Sequence, residues 1–240
     1  MLHAFAKGST AETLLKTTAT GIAVDQQGVS AVETSRGTIA TRGVVIAAGP
    51  FSARVAQMAQ VDLPLTLLRR HRLAVLECDL VPRDAPFTMD DDTGTYWRPE
   101  GAGALMGRAF EDEPEEPAEV VAVDWAFPAM VLDPASPWNA GCLSPFWNRA
   151  KEYLHRANLD LSAGQYTYSP DHVPLIGPCP TVPGLYVNTA YSGHGIMGAP
   201  EGGRRLSLLL AGDASDADNP FSLVRLSGRS TELKATERVY

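Results

Sequence analysis

Residues 43–49 read GVVIAAG, a run with no polar position on either face. A strand with one wet face alternates apolar and polar residues. An unbroken apolar run therefore predicts a central strand covered on both faces, the pattern of a parallel sheet. Gly49-Pro50 ends the run, and PFSARVAQMAQ then predicts a helix with Pro50 in its first turn. A buried strand followed at once by a helix gives the chain α/β character at this point.

The flanking segments differ in kind. Residues 2 to about 16 predict an amphipathic helix carrying Leu2, Phe5, Ala6, Leu14 and Leu15, with Gly8 in its middle. TATGIAV, GVSAVET and GTIATR alternate between turn residues and predict a β-meander. From about 62 to 160 prolines are frequent and the strand signals are short: RLAVLEC, GTYWRP, GALMGRAF and EVVAVDW. They predict an antiparallel sheet with long connections. The acidic stretch Glu111 to Pro117 reads as a solvated loop. NRAKEYLHRA (148–157) is a helix candidate with Ala150, Tyr153 and Leu154 on one face. In the last third, GQYTYS and LYVNTAYS read as strands and SPDHVPLIGPCPTVPG as a loop. GHGIMGAPEGGRR then leads into a helix over LSLLLAG.

Composition narrows the classes. Of 240 residues, 45% are hydrophobic, enough for a sizeable core. The 28 acidic against 20 basic residues give a formal charge of −8, which argues against a duplex-binding protein. No apolar run approaches the length of a membrane span, and the N-terminus lacks a signal peptide's apolar core. A cytoplasmic protein is the expectation. Cys78, Cys142 and Cys179 are widely spaced, with no C-x-x-C pair, so they read as free thiols and not as a metal site.

GHGIMG (193–198) spells G-x-G-x-x-G literally, between a predicted strand and a predicted helix. A dinucleotide fingerprint opens a βαβ unit, and here no apolar strand follows the helix. The nicotinamide reading is therefore set aside. Two readings of the residues stay open. One is a helix N-terminus that attracts negative charge; the other is a tight turn that binds nothing.

Four segments in order carry a resemblance: TSRGTIATRGVVIAAGPFS (34–52), YWRPEGAGALMG (96–107), GQYTYSPDHVPLIG (164–177) and LYVNTAYSGHGIMGAPEGGRRLSLLL (185–210). Together they resemble the C-terminal two-thirds of the flavin-dependent amine and amino-acid oxidoreductases, the D-amino-acid oxidase, sarcosine oxidase and glycine oxidase family. The resemblance implies a mixed α+β and α/β fold. Residues 1–60 and 163–240 would be a truncated FAD-binding domain of parallel sheet, β-meander and helices. Residues 61–162 would be an inserted antiparallel-sheet substrate domain. It implies oxidation of a C–N bond of a small amine or amino acid, with FAD held non-covalently, because Gly164 stands where sarcosine oxidases carry the cysteine bonded to flavin.

By the same resemblance, Ala48 and Gly49 would lie near the pyrophosphate or ribityl chain. Gly193, His194, Gly195, Ile196 and Met197 would lie beside the isoalloxazine ring, and Tyr166 and His194 would be the catalytic candidates. Met197 stands where sarcosine oxidases have a lysine, and no lysine occurs between 62 and 145. Arg69, Arg70, Arg72, Arg83, Arg98 and Arg108 supply the cations of that region. The family's opening βαβ unit has no counterpart here, so a second chain carrying the nucleotide-binding half is one expected partner. The alternative is a remnant or assembly subunit that keeps the fold without binding FAD.

Overall fold

A computed structural model describes residues 2–109 and 114–227. The chain divides into two compact units. The first comprises Met1–Pro64, Pro174–Thr189 and the segment from Met197; the second comprises Leu65–Val173 and Ala190–Ile196.

The first unit opens with α1, Leu2–Gly8. The helix expected to reach residue 16 stops at Gly8, a residue that fixes its backbone in a helix only at an entropic cost. The meander follows as expected: β1 (Ala19–Asp25), β2 (Gly28–Thr34) and β3 (Gly37–Ala40) pair antiparallel in that order. Next comes β4, Val44–Ile46, then a short 3-10 turn over Gly49–Phe51 and α2, Ser52–Gln57.

β4 corrects the first expectation. It is parallel to its neighbour, with Val44–Ile46 opposite Leu185–Val187 of β11 (Leu185–Thr189). It is not central. The order is β10-β11-β4, with β10 at Leu175–Pro178, so β4 is an edge strand among the described residues. Ile46 is buried, whereas Val45 is 40% exposed. Apolar composition suits a strand to burial on both faces but does not supply the neighbour that would cover the second edge. β10 lies inside the segment expected to be loop. Its prolines fall at the strand's end and beyond, where no ladder hydrogen bond is forfeited. The Ile176 N–H donates to the Phe221 carbonyl at 3.0 Å, which ties the closing segment to this sheet.

The second unit is built on a five-stranded antiparallel sheet of order β6-β7-β8-β5-β9. Its strands are β5 (Thr66–Val75), β6 (Thr88–Met89), β7 (Thr95–Glu100), β8 (Gly103–Arg108) and β9 (Leu159–Tyr168). β5 and β9 pair over ten residues, from Thr66 opposite Tyr168 to Val75 opposite Leu159. One face packs Leu73, Val75, Trp97, Met106 and Leu161 against Phe127, Val131, Ala140 and Trp147. Phe127 and Val131 lie on α3, Phe127–Leu132.

Three readings of this region change. EVVAVDW is no strand; Val120 is 86% exposed. The segment is instead held to β5 through side chains. The Asp124 N–H donates to His71 Nε2 at 2.9 Å, and Arg69 Nη1 donates to the Ala122 carbonyl at 3.3 Å. The acidic stretch is not simply solvated: Glu115 accepts from Arg69 Nε at 2.6 Å and from Gln165 Nε2 at 3.2 Å. Residues 111–113 lie outside the described residues. NRAKEYLHRA is not an α-helix; a 3-10 segment over Pro145–Tyr153 takes its place, with Ala150 buried.

The three cysteines are free. Burial pushes the Cys179 thiol up to about 11 and raises that of Cys78, so both stay protonated near neutral pH. Cys142 is exposed. A thiol reagent at pH 8 is expected to modify one cysteine in the native protein and two more only in denaturant. A second fast thiol would contradict this burial.

Candidate flavin-ring and substrate site

The face of the five-stranded sheet opposite its core is assembled by strand parity. Leu73 and Val75 of β5 enter the core, so Arg70 and Arg72 project from the opposite face. Cross-strand neighbours share that face. Arg70 lies opposite Gly164, Leu68 opposite Tyr166 and Thr66 opposite Tyr168 on β9. On the other side Arg72 lies opposite Gly107, which lies opposite Tyr96. The face therefore carries Arg70, Arg72, Tyr96, Tyr166 and Tyr168 around two glycines.

The glycines are used differently. A Cβ on Gly107 would stand 2.2 Å from the Tyr96 hydroxyl, so this phenol rests directly on the β8 backbone. A Cβ on Gly164 would meet nothing within 4 Å, so open space lies beside Arg70. Arg70 is buried, and its guanidinium donates to the Arg69 carbonyl at 2.9 Å and to the Tyr168 hydroxyl at 3.4 Å. Burial, and then the neighbouring Tyr166, push the Tyr96 phenol above its ordinary value, while Arg70, Arg98 and Arg72 pull it back. The other arginines named from sequence have partners. Arg69 pairs with Glu115, Arg98 with Glu100, and Arg72 with Asp160 at 3.6 Å. Arg83 donates to the Gly101 and Ala102 carbonyls, and Arg108 lies 4.6 Å from the Trp138 ring centroid.

Of the residues expected at the catalytic site and the flavin ring, the structure brings Tyr166 and Gly193 together. Tyr166 is 37% exposed. A Cβ on Gly193 would fall 2.3 Å from its ring, and Gly193 has φ +90°, so glycine is required twice over. His194 follows, its N–H closing a turn onto the Tyr191 carbonyl at 2.8 Å. α4 then runs over Gly195–Ala211. Ile196 and Met197, on its first turn, are 77% and 75% exposed. Asp171, in the loop after β9, accepts from Ser169 Oγ at 3.0 Å and from the Val173 N–H at 3.2 Å. Ala48 and Gly49 belong to the first unit, at the turn before α2; Gly49 has φ +53°. Met197 also belongs to the first unit.

Sequence reasoning named neither Tyr96 nor Tyr168, and counted Arg70 only as one cation among six. The signal lay in the i, i+2 spacing of Tyr166 with Tyr168 and of Arg70 with Arg72. Its meaning depends on which strands become neighbours.

The chain has relatives among known proteins. A family model described as "FAD dependent oxidoreductase" (DAO) matches residues 1–209. The chain belongs to the DAO family of FAD-dependent oxidoreductases. It is similar to mitochondrial sarcosine dehydrogenase of Mus musculus, 29% identical over 70% of this chain and 18% of that protein. It is also similar to mitochondrial dimethylglycine dehydrogenase of Mus musculus, 28% identical over 86% of this chain and 24% of that protein. Glycine oxidase of Pseudomonas aeruginosa is 26% identical over 78% of this chain and 47% of its own length. The fold matches that of L-proline dehydrogenase from P. horikoshii at TM-score 0.69 and 21% identity, over 92% of this chain and 57% of that one. The chain thus spans between about a fifth and somewhat more than half of these relatives. No helix among the described residues is long and apolar enough to cross a membrane.

FAD is the cofactor of this family, and the residues present can be tested against it. Helix geometry leaves the N–H groups of Gly195, Ile196 and Met197 without intrahelical acceptors. Such donors fit the electron-rich edge of a flavin ring. The nucleotide end is different. Among the described residues Ala48 and Gly49 offer a turn before a six-residue helix, too short a dipole for a pyrophosphate cradle. The fit holds for the ring end of the cofactor.

Proposed function

We propose that residues 1–240 form the flavin-ring and substrate portion of an enzyme that oxidises the C–N bond of a small amine or amino acid. One observation carries the reading: within the second unit, a sheet face bearing Arg70, Tyr96 and Tyr166 meets Gly193 just before α4. The named activities of the relatives, on sarcosine, dimethylglycine and glycine, support an N-substituted or simple amino acid as substrate.

Bound FAD would supply the acceptor for the hydride that leaves the substrate carbon. The chain's own residues orient and shield. Arg70 gives the face a permanent positive charge that favours a substrate carboxylate, and the Tyr168 hydroxyl fixes its guanidinium. Gly164 leaves room beside it. Tyr166 walls the pocket and excludes water. Tyr96, held protonated, offers a donor across neutral pH. Gly193, His194, Gly195, Ile196 and Met197 would line the ring end, where the first α4 amides would favour negative charge on the flavin. By family resemblance alone, Ala48 and Gly49 of the first unit would approach the cofactor's ribityl chain.

In this reading residues 1–60 and 163–240 serve mainly the cofactor and 61–162 the substrate, with Gly164, Tyr166 and Tyr168 at the end of β9 also on the substrate side. Polypeptide outside these residues, on a second chain or on a longer version of this one, provides the nucleotide-binding half. The compartment we propose is the cytoplasm, in keeping with three free thiols. Titration with FAD, followed by flavin fluorescence, tests the division. Residues 1–240 alone are expected to bind FAD more weakly than submicromolar. Stoichiometric submicromolar binding would overturn the need for another half. A second reading, a fold kept without flavin binding, draws support from the open edge of β4. A colourless, well-folded protein that ignores even high FAD concentrations would favour it.

A further inference from the structure

We propose that Ser192 is a positioning residue, a clasp that holds Gly193 beneath the Tyr166 ring and so fixes the pocket aromatic and the start of α4 in one arrangement. The consequence for flavin rests on the reading above; the clasp itself rests on geometry within the second unit.

Ser192 is buried and left-handed, with φ +51°. Two residues earlier Ala190 has φ +62°, and Gly193 follows at +90°. For a residue with a Cβ the left-handed region is strained, so it persists only where surrounding bonds over-determine it. Two such bonds are present. The Ser192 N–H donates to the Thr167 carbonyl at 3.1 Å, and its Oγ donates to the His172 carbonyl at 2.9 Å.

Both acceptors belong to the Tyr166 side of the site. Thr167 sits between Tyr166 and Tyr168 on β9. His172 is itself left-handed at φ +60°; its N–H donates to the Ser169 carbonyl at 3.0 Å and its ring lies 5.1 Å from that of Tyr168. Ser192 thus joins the end of β9, the loop after it and the turn into α4. Gly193, the next residue, is then pressed against the Tyr166 ring, with no space for a Cβ. Loosening Ser192 frees the ring and the first amides of α4 together, whereas the β5–β9 ladder has no dependence on it.

Ser192→Gly and Ser192→Ala separate this role from bulk stability. Both remove the hydroxyl, and glycine also removes the left-handed strain. The urea midpoint of Ser192→Gly is therefore expected to stay near that of the parent, and that of Ser192→Ala to fall below it. In both variants, amide exchange at residues 192 and 194 is expected to speed up about tenfold, the order of one lost buried hydrogen bond. FAD affinity should weaken severalfold in both, including the stable glycine variant. Unchanged exchange at 192 and 194 would overturn the clasp. Faster exchange with unchanged FAD affinity would overturn the positioning role and leave a purely structural bond. If the parent and both variants alike fail to bind FAD, the flavin reading falls, and the exchange rates still decide whether Ser192 holds the turn.

Discussion

Gly28→Ala is expected to cost the first unit about 3 kcal/mol, from backbone strain and overpacking together. Gly28 begins β2 with φ +110°, beyond the left-handed helical well that other residues visit. A Cβ there would lie 2.2 Å from the Pro183 carbonyl oxygen. That oxygen cannot retreat freely, because it accepts the Val29 N–H at 2.9 Å. The two nearest atoms, the carbonyl oxygen and carbon of Pro183, are backbone, so relief requires the meander and the turn before β11 to separate. Thermal unfolding is expected to fall by roughly 10 °C, taking a few degrees per kcal/mol for a chain of this size. A loss under about 1 kcal/mol would mean that the two segments are not held as described.

The largest core effect is expected at Trp147, which is 1% exposed and lies edge-on to Trp97 with centroids 5.9 Å apart. Trp147→Ala should cost about 3–5 kcal/mol in urea denaturation, because rings of this size leave cavities that cores refill only partly. Trp147→Phe should cost much less. The indole N–H of Trp147 has no hydrogen-bond partner among the described residues, and an unsatisfied buried donor is worth about 1–3 kcal/mol of destabilisation. Phenylalanine removes that donor while keeping most of the ring. Trp97 differs: its Nε1 donates to Ser144 Oγ at 2.9 Å, so Trp97→Phe should strand a hydroxyl and gain no such offset. Equal losses for Trp147→Phe and Trp147→Ala would count against an unsatisfied indole.

Local chemistry made much of the second unit legible. β7 and β8 announced themselves as short apolar alternations between prolines and glycines, RLAVLEC marked only the second half of β5, and GQYTYS only the end of β9 at Tyr166 and Tyr168. EVVAVDW carried the same composition and formed no strand. Nothing in its residues says that Arg69, His71 and Gln165 offer side chains to its neighbourhood, and these bonds took the place of a ladder. The same gap hid β10. A segment rich in proline reads as loop until β11 is there to pair with Leu175–Pro178.

The candidate site divides along the same line. Sequence by itself determined the family, through four ordered segments, and it singled out Tyr166 and the glycines before α4. Those signals are short-range: a turn that needs glycine, a helix that starts where a strand stops. Only tertiary structure decided that Arg70, Gly107, Tyr96 and Tyr168 share one sheet face, since facing is set by register between strands up to about a hundred residues apart. Only tertiary structure decided that β4 is an edge. Apolar content measures how well a strand tolerates burial, but burial is conferred by whichever neighbour the fold brings, and no residue of GVVIAAG encodes that neighbour.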